Sequence, residues 1–203
     1  MITVQAADLI RILPEIILAA FAILVMVFDP FLPAGRKTLL GWFALLGVIA
    51  AGGGTVRTFL LPGLAFGGSV AADRFSIYFI ALFLLVAALT LLGSMDYLER
   101  DKINQGEFYA LVLMATVGMC FMAASTELIM IFLGLEISSL STYILAGFKR
   151  HNAQSNEASI KYFLLGSFAT AFFLYGIAFV YGLKIIFYIK FFNNFKTPYS
   201  LVG

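Results

Sequence analysis

An all-α, polytopic bundle of about six membrane-spanning helices is predicted by three features of this 203-residue sequence. The chain is 62% hydrophobic and only 12% charged, where soluble domains carry roughly 25% charged residues. It contains six long apolar runs, each near the roughly 20 residues needed to cross a bilayer. Its 22 Phe and 18 Gly suit packed membrane helices, in which glycine permits close backbone approach. This composition leaves too few charges to cover a soluble surface. It excludes a water-soluble enzyme or a nucleic-acid-binding module, and the net charge of +2 is too small to draw a polyanion. The single Cys excludes an intramolecular disulfide and any Cys-only metal or iron–sulfur site.

The expected spans are residues 9–28, 39–61, 75–95, 108–125, 127–147 and 158–183. The first run lacks a basic leader and a small-residue cleavage site and enters a DPFLP loop, so it reads as a retained span rather than a signal peptide. Pro14 and Glu15 open it, since proline fits the first helical positions and a carboxylate suits the positive helix end; the other reading of Glu15 is a functional role inside the membrane. Gly52, Gly53 and Gly54 lie in the second span and read as a close-packing site. A Gly/Pro-rich stretch over 62–74 separates spans two and three, and Asp73-Arg74 is placed to cap the third. DYLERDKINQGE connects spans three and four, Ser125-Thr126 is a minimal turn, and KRHNAQSNE joins spans five and six. The runs are too long and continuous for β-barrel strands.

Basic residues set the expected orientation. Arg36, Lys37, Arg100, Lys102, Lys149 and Arg150 fall in the loops after spans one, three and five, whereas Arg11, Arg57 and Arg74 lie on the other side. The first set is expected to face the cytoplasm, with the N-terminus outside.

Two charges sit where membrane burial makes them costly. Glu136, in ELIMIFLGLEISSLSTYILAGF, is nine residues from Glu127 and eleven from Gly147, about 14 and 16 Å by helical rise and so near the bilayer midplane. An ionised carboxylate there costs about 2.5–3.5 kcal/mol on insertion scales, so it needs a partner, water or a proton. The following Ser138, Ser139, Ser141 and Thr142 either carry water beside it or bond back to helix carbonyls. Lys161 has two readings. In a helix starting near Ala158 it snorkels to the surface; in one starting near Asn152 it lies about 13 Å deep and approaches the level of Glu136. His151 reads as a solvated loop residue, and Cys120 with Met114, Met119, Met122 and Met130 as helix packing. No dinucleotide fingerprint, phosphate loop, haem-ligand pair or iron–sulfur spacing is present.

The segments MDYLERDKINQGEFYALVLMATVGMCFMAASTELIMIFLGLEISSLSTYILAGF and EASIKYFLLGSFATAFFLYGIAFVYG, together with LPEIILAAFAILVMVFDPF, resemble the antiporter-like subunit N of NADH:quinone oxidoreductase, respiratory complex I. The resemblance covers residues 9–182. It implies a part in proton translocation coupled to quinone reduction, with the family's mid-membrane Glu falling on Glu136 and its sixth-span Lys on Lys161. It further implies a bacterial inner-membrane location beside neighbouring antiporter-like subunits. NADH, FMN, iron–sulfur clusters and quinone would then belong to partner subunits, and no nucleic acid is involved. Alternative readings are a cation/proton antiporter subunit or a non-transporting membrane fragment.

The resemblance divides the chain into three regions. Residues 1–106 are N-terminal helices with a cytoplasmic loop, and 107–182 begin the antiporter-like domain, so the whole reads as a truncated N-terminal part of the family. Residues 183–203 differ in composition, with six aromatics, three Lys and no Ala. They read either as a frameshift or truncation junction or as a cationic interfacial segment with aromatic anchors.

Overall fold

The computed structural model describes residues 6–33, 36–101 and 103–196, with side chains through residue 185. The helices are α1 (Ala6–Arg11), α2 (Leu13–Phe28), α3 (Thr38–Leu60), α4 (Arg74–Arg100), α5 (Gly106–Ala124), α6 (Leu128–Ala146) and α7 (Ala153–Lys196). Among the described residues, six helices are long and apolar enough to span a membrane, the last over Ala153–Ile185. Lys102, counted in the orientation, and the end of the 183–203 tail lie outside the described residues; α7 itself continues through Lys196.

The chain forms two compact units, the first through Gly166 and the second from Ser167. In the first, α2 packs on α3 and α5, α3 on α4, and α5 on α4 and α6. The core holds Leu18, Val25, Ala44, Leu91, Leu98, Tyr109 and Leu113, all without solvent exposure. Trp42, Ile49, Leu85 and Leu89 face outward, as lipid-facing positions require. In the second unit, α7 carries edge-to-face rings along its length, Phe168 on Phe172 at 4.8 Å and Tyr175 on Phe179 at 4.9 Å.

The Gly/Pro-rich stretch folds into a hairpin, where a plain loop was expected. β1 (Gly63–Ala65) pairs antiparallel with β2 (Val70–Ala72), Gly63 opposite Ala72 and Ala65 opposite Val70. The turn takes positive φ at Phe66, Gly67 and Gly68, which the two glycines adopt without steric cost. Asp73 then caps α4 as expected: its carboxylate accepts from the Ser76 N–H at 2.8 Å and Ser76 Oγ accepts from the Asp73 N–H at 3.0 Å. This end of the bundle is termed the hairpin end.

At the opposite, basic end, α4 runs to Arg100, past the expected stop at residue 95, because Leu98 of DYLER is wholly buried on the core stripe. Pro30 follows α2, and Asp29 accepts from Lys37 Nζ at 3.2 Å and from the Gly106 N–H at 2.7 Å, tying the first loop to the start of α5. Asn104 bridges Thr38 and the Tyr109 hydroxyl, each at 3.0 Å. The glycine triplet behaves unevenly. A Cβ on Gly54 would press on Ile17 and Pro14, whereas Gly52 and Gly53 face open space, so close packing is confined to one of the three.

Candidate functional site

The turn at Ser125-Thr126 fixes where α6 begins. The Thr126 N–H donates to the Ser69 carbonyl at 3.1 Å and its hydroxyl to the Gly68 carbonyl, while Ser125 bridges to Val70 of β2. From there α6 crosses α5 with backbones in contact. A Cβ on Gly118 would lie 2.5 Å from the Gly134 carbonyl oxygen and 2.6 Å from the Ser138 nitrogen. Small residues let transmembrane helices approach this closely.

Glu136 occupies the middle of α6, eight residues after Leu128 and ten before Ala146, roughly 12 and 15 Å from its ends. The residue is half-buried, and its Oε1 is enclosed with no hydrogen-bond partner among the described residues. Tyr143 lies seven residues on, and two turns of helix return to nearly the same face. At that level the Tyr143 ring packs edge-on against Tyr162 and Phe163 of α7, with centroids at 4.8 and 5.8 Å. Glu136 therefore projects from the stripe of α6 that turns toward the next helix, away from the Gly118 contact.

Two of the neighbouring hydroxyls are committed to their own helix. Ser141 Oγ donates to the Ile137 carbonyl at 2.8 Å and Thr142 Oγ1 to the Ser139 carbonyl at 2.9 Å. Ser138 packs on Gly118.

Asn152 starts α7 by accepting from the Gln154 and Ser155 N–H groups. The helix thus begins at Ala153, five residues before the first residue of the expected span. Lys161 is nonetheless not brought to Glu136. The first turns of α7 lie beside the last turns of α6: Ser155 Oγ donates to the Ala146 carbonyl and Ser159 Oγ to the Tyr143 carbonyl, both at 2.9 Å. Lys161 lies two residues beyond Ser159, about a turn and a half or roughly 8 Å along the axis from Glu136. Its ammonium pairs with Glu157 at 2.5 Å, and both side chains are exposed.

The basic end carries a second charged cluster. Lys149 pairs with Asp101 at 2.5 Å and sits 5.0 Å from the Tyr97 ring centroid, and Arg150 pairs with Glu107 at 2.7 Å. The Lys149 ammonium holds the Asp101 carboxyl below its ordinary range, and Asp101 in turn pushes Lys149 up to about 12. With Ile103, exposed His151 and Asn152, they line an open cavity of about 470 Å³. Among the described residues, no group of three or more His, Cys, Asp or Glu side chains is placed to hold a metal ion.

Sequence reasoning placed Glu15 as a carboxylate serving the first helix end. It does lie in the first turn of α2, but it is 1% exposed and neither carboxyl oxygen has a side-chain hydrogen-bond partner among the described residues. The available signal was its position within an otherwise apolar run.

A family model described as NADH:quinone oxidoreductase/Mrp antiporter, TM, matches residues 125–198, the stretch that holds Glu136 and Lys161. NADH-quinone oxidoreductase subunit N of Trichlorobacter lovleyi is 45% identical over 178 residues, covering 88% of this chain. Over most of its length the chain is similar to subunit N proteins. Subunit N 2 of Koribacter versatilis is 44% identical over 187 residues, again 88% of the chain. A chain of respiratory complex I from Thermus thermophilus superposes with a TM-score of 0.68 at 35% identity, over 83% of this chain. The chain spans 37% and 38% of the two subunit N relatives and 36% of the solved chain. This likeness, with six helices among the described residues long and apolar enough to span a bilayer, makes it a multi-pass membrane protein.

Proposed function

We propose that this chain serves in the membrane arm of a proton-translocating NADH:quinone oxidoreductase, with Glu136 taking up and releasing the transported proton. The observation that carries this reading is the enclosed, unpartnered Oε1 of Glu136 in mid-helix. An unpartnered carboxylate in a membrane-spanning helix is costly and marks a functional position, and ion and proton pathways are where such acids occur. Lys161 is the modulating cation of the proposal. While paired with Glu157 it presents a near-neutral ion pair to its surroundings; opening that pair exposes a positive charge that favours ionised Glu136.

NADH, FMN, iron–sulfur clusters and quinone belong to partner subunits in this reading, and the neighbouring contacts are to other antiporter-like membrane subunits. The membrane is the bacterial inner membrane, with the hairpin end and the N-terminus outside. Arg36, Lys37, Arg100, Lys149 and Arg150 then lie on the cytoplasmic side. Residues 1–106 form the supporting helices, and residues 107–182 open the translocating domain.

The test is Glu136→Gln in an assembled complex reconstituted into vesicles. Gln keeps size and polarity but does not titrate. Quinone reduction with reduced proton uptake at normal subunit levels is the expected result. Wild-type proton transport by that variant would defeat the proposal.

A further inference from the structure

The proton chemistry proposed for Glu136 leaves Glu15 unused, although Glu15 is the more deeply enclosed of the two. The residue is 1% exposed, and among the described residues no side chain donates to either oxygen; the backbone N–H of Glu15 itself is the one donor within reach. Contacts with further subunits can only deepen such burial. The hydroxyls nearest in the packing are already spent: Thr58 Oγ1 donates to the Ile10 and Gly54 carbonyls, and Thr55 Oγ1 to the Ala51 carbonyl.

The titratable groups on the elements packed against α2 offer no cation. On α1, the Arg11 guanidinium is engaged elsewhere: its Nη1 donates to Asp8 at 3.4 Å and to the Leu64 carbonyl at 2.7 Å, its atoms crowd Gly63, and its Nε is buried without a partner among the described residues. Arg57 of α3 is exposed. On α5, Cys120 is wholly buried and lies within electrostatic reach of Glu15; Glu107 and Tyr109 are at the far end of that helix. A carboxylate with neither a side-chain donor nor a counter-ion is the costliest state of this side chain in such an environment, and the acid form removes the charge.

We propose that Glu15 is a second proton-binding site, a buried carboxylic acid that lies between the hairpin end and the depth of Glu136. Glu15 follows the start of α2 by two residues and Glu136 follows the start of α6 by eight. Both helices start at the hairpin end, so Glu15 is nearer that surface by roughly 9 Å of helical rise. The assignment does not rest on transport by Glu136.

Infrared difference spectroscopy on the full chain in lipid nanodiscs tests it. At neutral pH the spectrum should contain a protonated-carboxyl C=O band that downshifts in D₂O and is lost in Glu15→Gln. The band from any protonated Glu136 persists in that variant, so the two acids are told apart. Cys120 is the only thiol in the chain, and its S–H stretch should shift when Glu15 ionises, a readout that needs no variant. Should Glu15→Gln fail to fold, Glu15→Asp should move the band to a new frequency. A neutral-pH spectrum with no carboxyl band altered by either substitution, or Glu15 already ionised at that pH, would overturn the proposal.

Discussion

Replacing Gly118 by Ala tests the geometry that holds Glu136 in place. The added methyl would sit 2.5 Å from the Gly134 carbonyl oxygen and 2.6 Å from the Ser138 nitrogen. Comfortable carbon contacts need about 3.5 Å, so α5 and α6 must separate by roughly 1 Å. Both obstructing atoms are backbone, and no rotamer change relieves them. Displacement by that amount forfeits a quarter to a half of the dispersion attraction of each affected contact. Overpacking of this kind costs about 1–3 kcal/mol, and the value here should fall in the upper half, about 2–3 kcal/mol, because neither backbone can yield locally. The matched control is Gly53→Ala, which faces open space and should be neutral or stabilising by about 0.5–1 kcal/mol through helix propensity. Steric trapping in bicelles reads both stabilities on one scale. Equal stabilities for the two alanine variants would refute the claim that backbone contact between α5 and α6 sets their spacing.

Four further outcomes follow from the charged and capping residues. The Asp101–Lys149 pair should hold across the physiological range. Asp101 is depressed, so its contribution is present above about pH 3.9 and is lost as pH falls through its lower folded value. Lys149 is raised, so its contribution is present below about pH 10.4 and is lost as pH climbs through about 12; amide-exchange protection over residues 149–152, corrected for intrinsic rates, checks both limits. Asp73→Ala should destabilise the start of α4 by about 1 kcal/mol or less at neutral pH, with Asp73→Asn milder, as read by local hydrogen exchange. The Ser76 N–H lowers the Asp73 pKa, so the gap between wild type and Asp73→Asn should narrow as pH falls through the folded value. If Lys161 modulates Glu136 through the opening of its ion pair with Glu157, Lys161→Gln should assemble normally and transport protons poorly in vesicles while Lys161→Arg, which keeps the charge, retains transport; full transport by Lys161→Gln would remove Lys161 from the site.

The six apolar spans, their order and the mid-helix position of Glu136 were legible in the sequence. A backbone in lipid must satisfy its hydrogen bonds within each segment, so long apolar runs have few alternatives to helix. Fixed rise then converts residue number into depth. The Asp73 cap was legible for a similar reason, because capping depends on neighbours three residues apart. Lys161 exceeded that logic: its depth depends on how far α7 slides along α6, which the Ser155–Ala146 and Ser159–Tyr143 hydrogen bonds determine. The hairpin over 63–72 was hidden because the short Gly-rich strands lack a strong period, and their pairing is completed by contacts with Ser125 and Thr126, more than fifty residues away. Gly52, Gly53 and Gly54 are the same residue in the same helix, yet only Gly54 meets a neighbour. Composition marked Glu15 as an acid at a helix start, whereas its isolation from every side-chain donor and cation required the folded packing of α1, α3 and α5 around α2. Local rules fix what each segment becomes, but which side chains are left without partners is a property of the packed bundle.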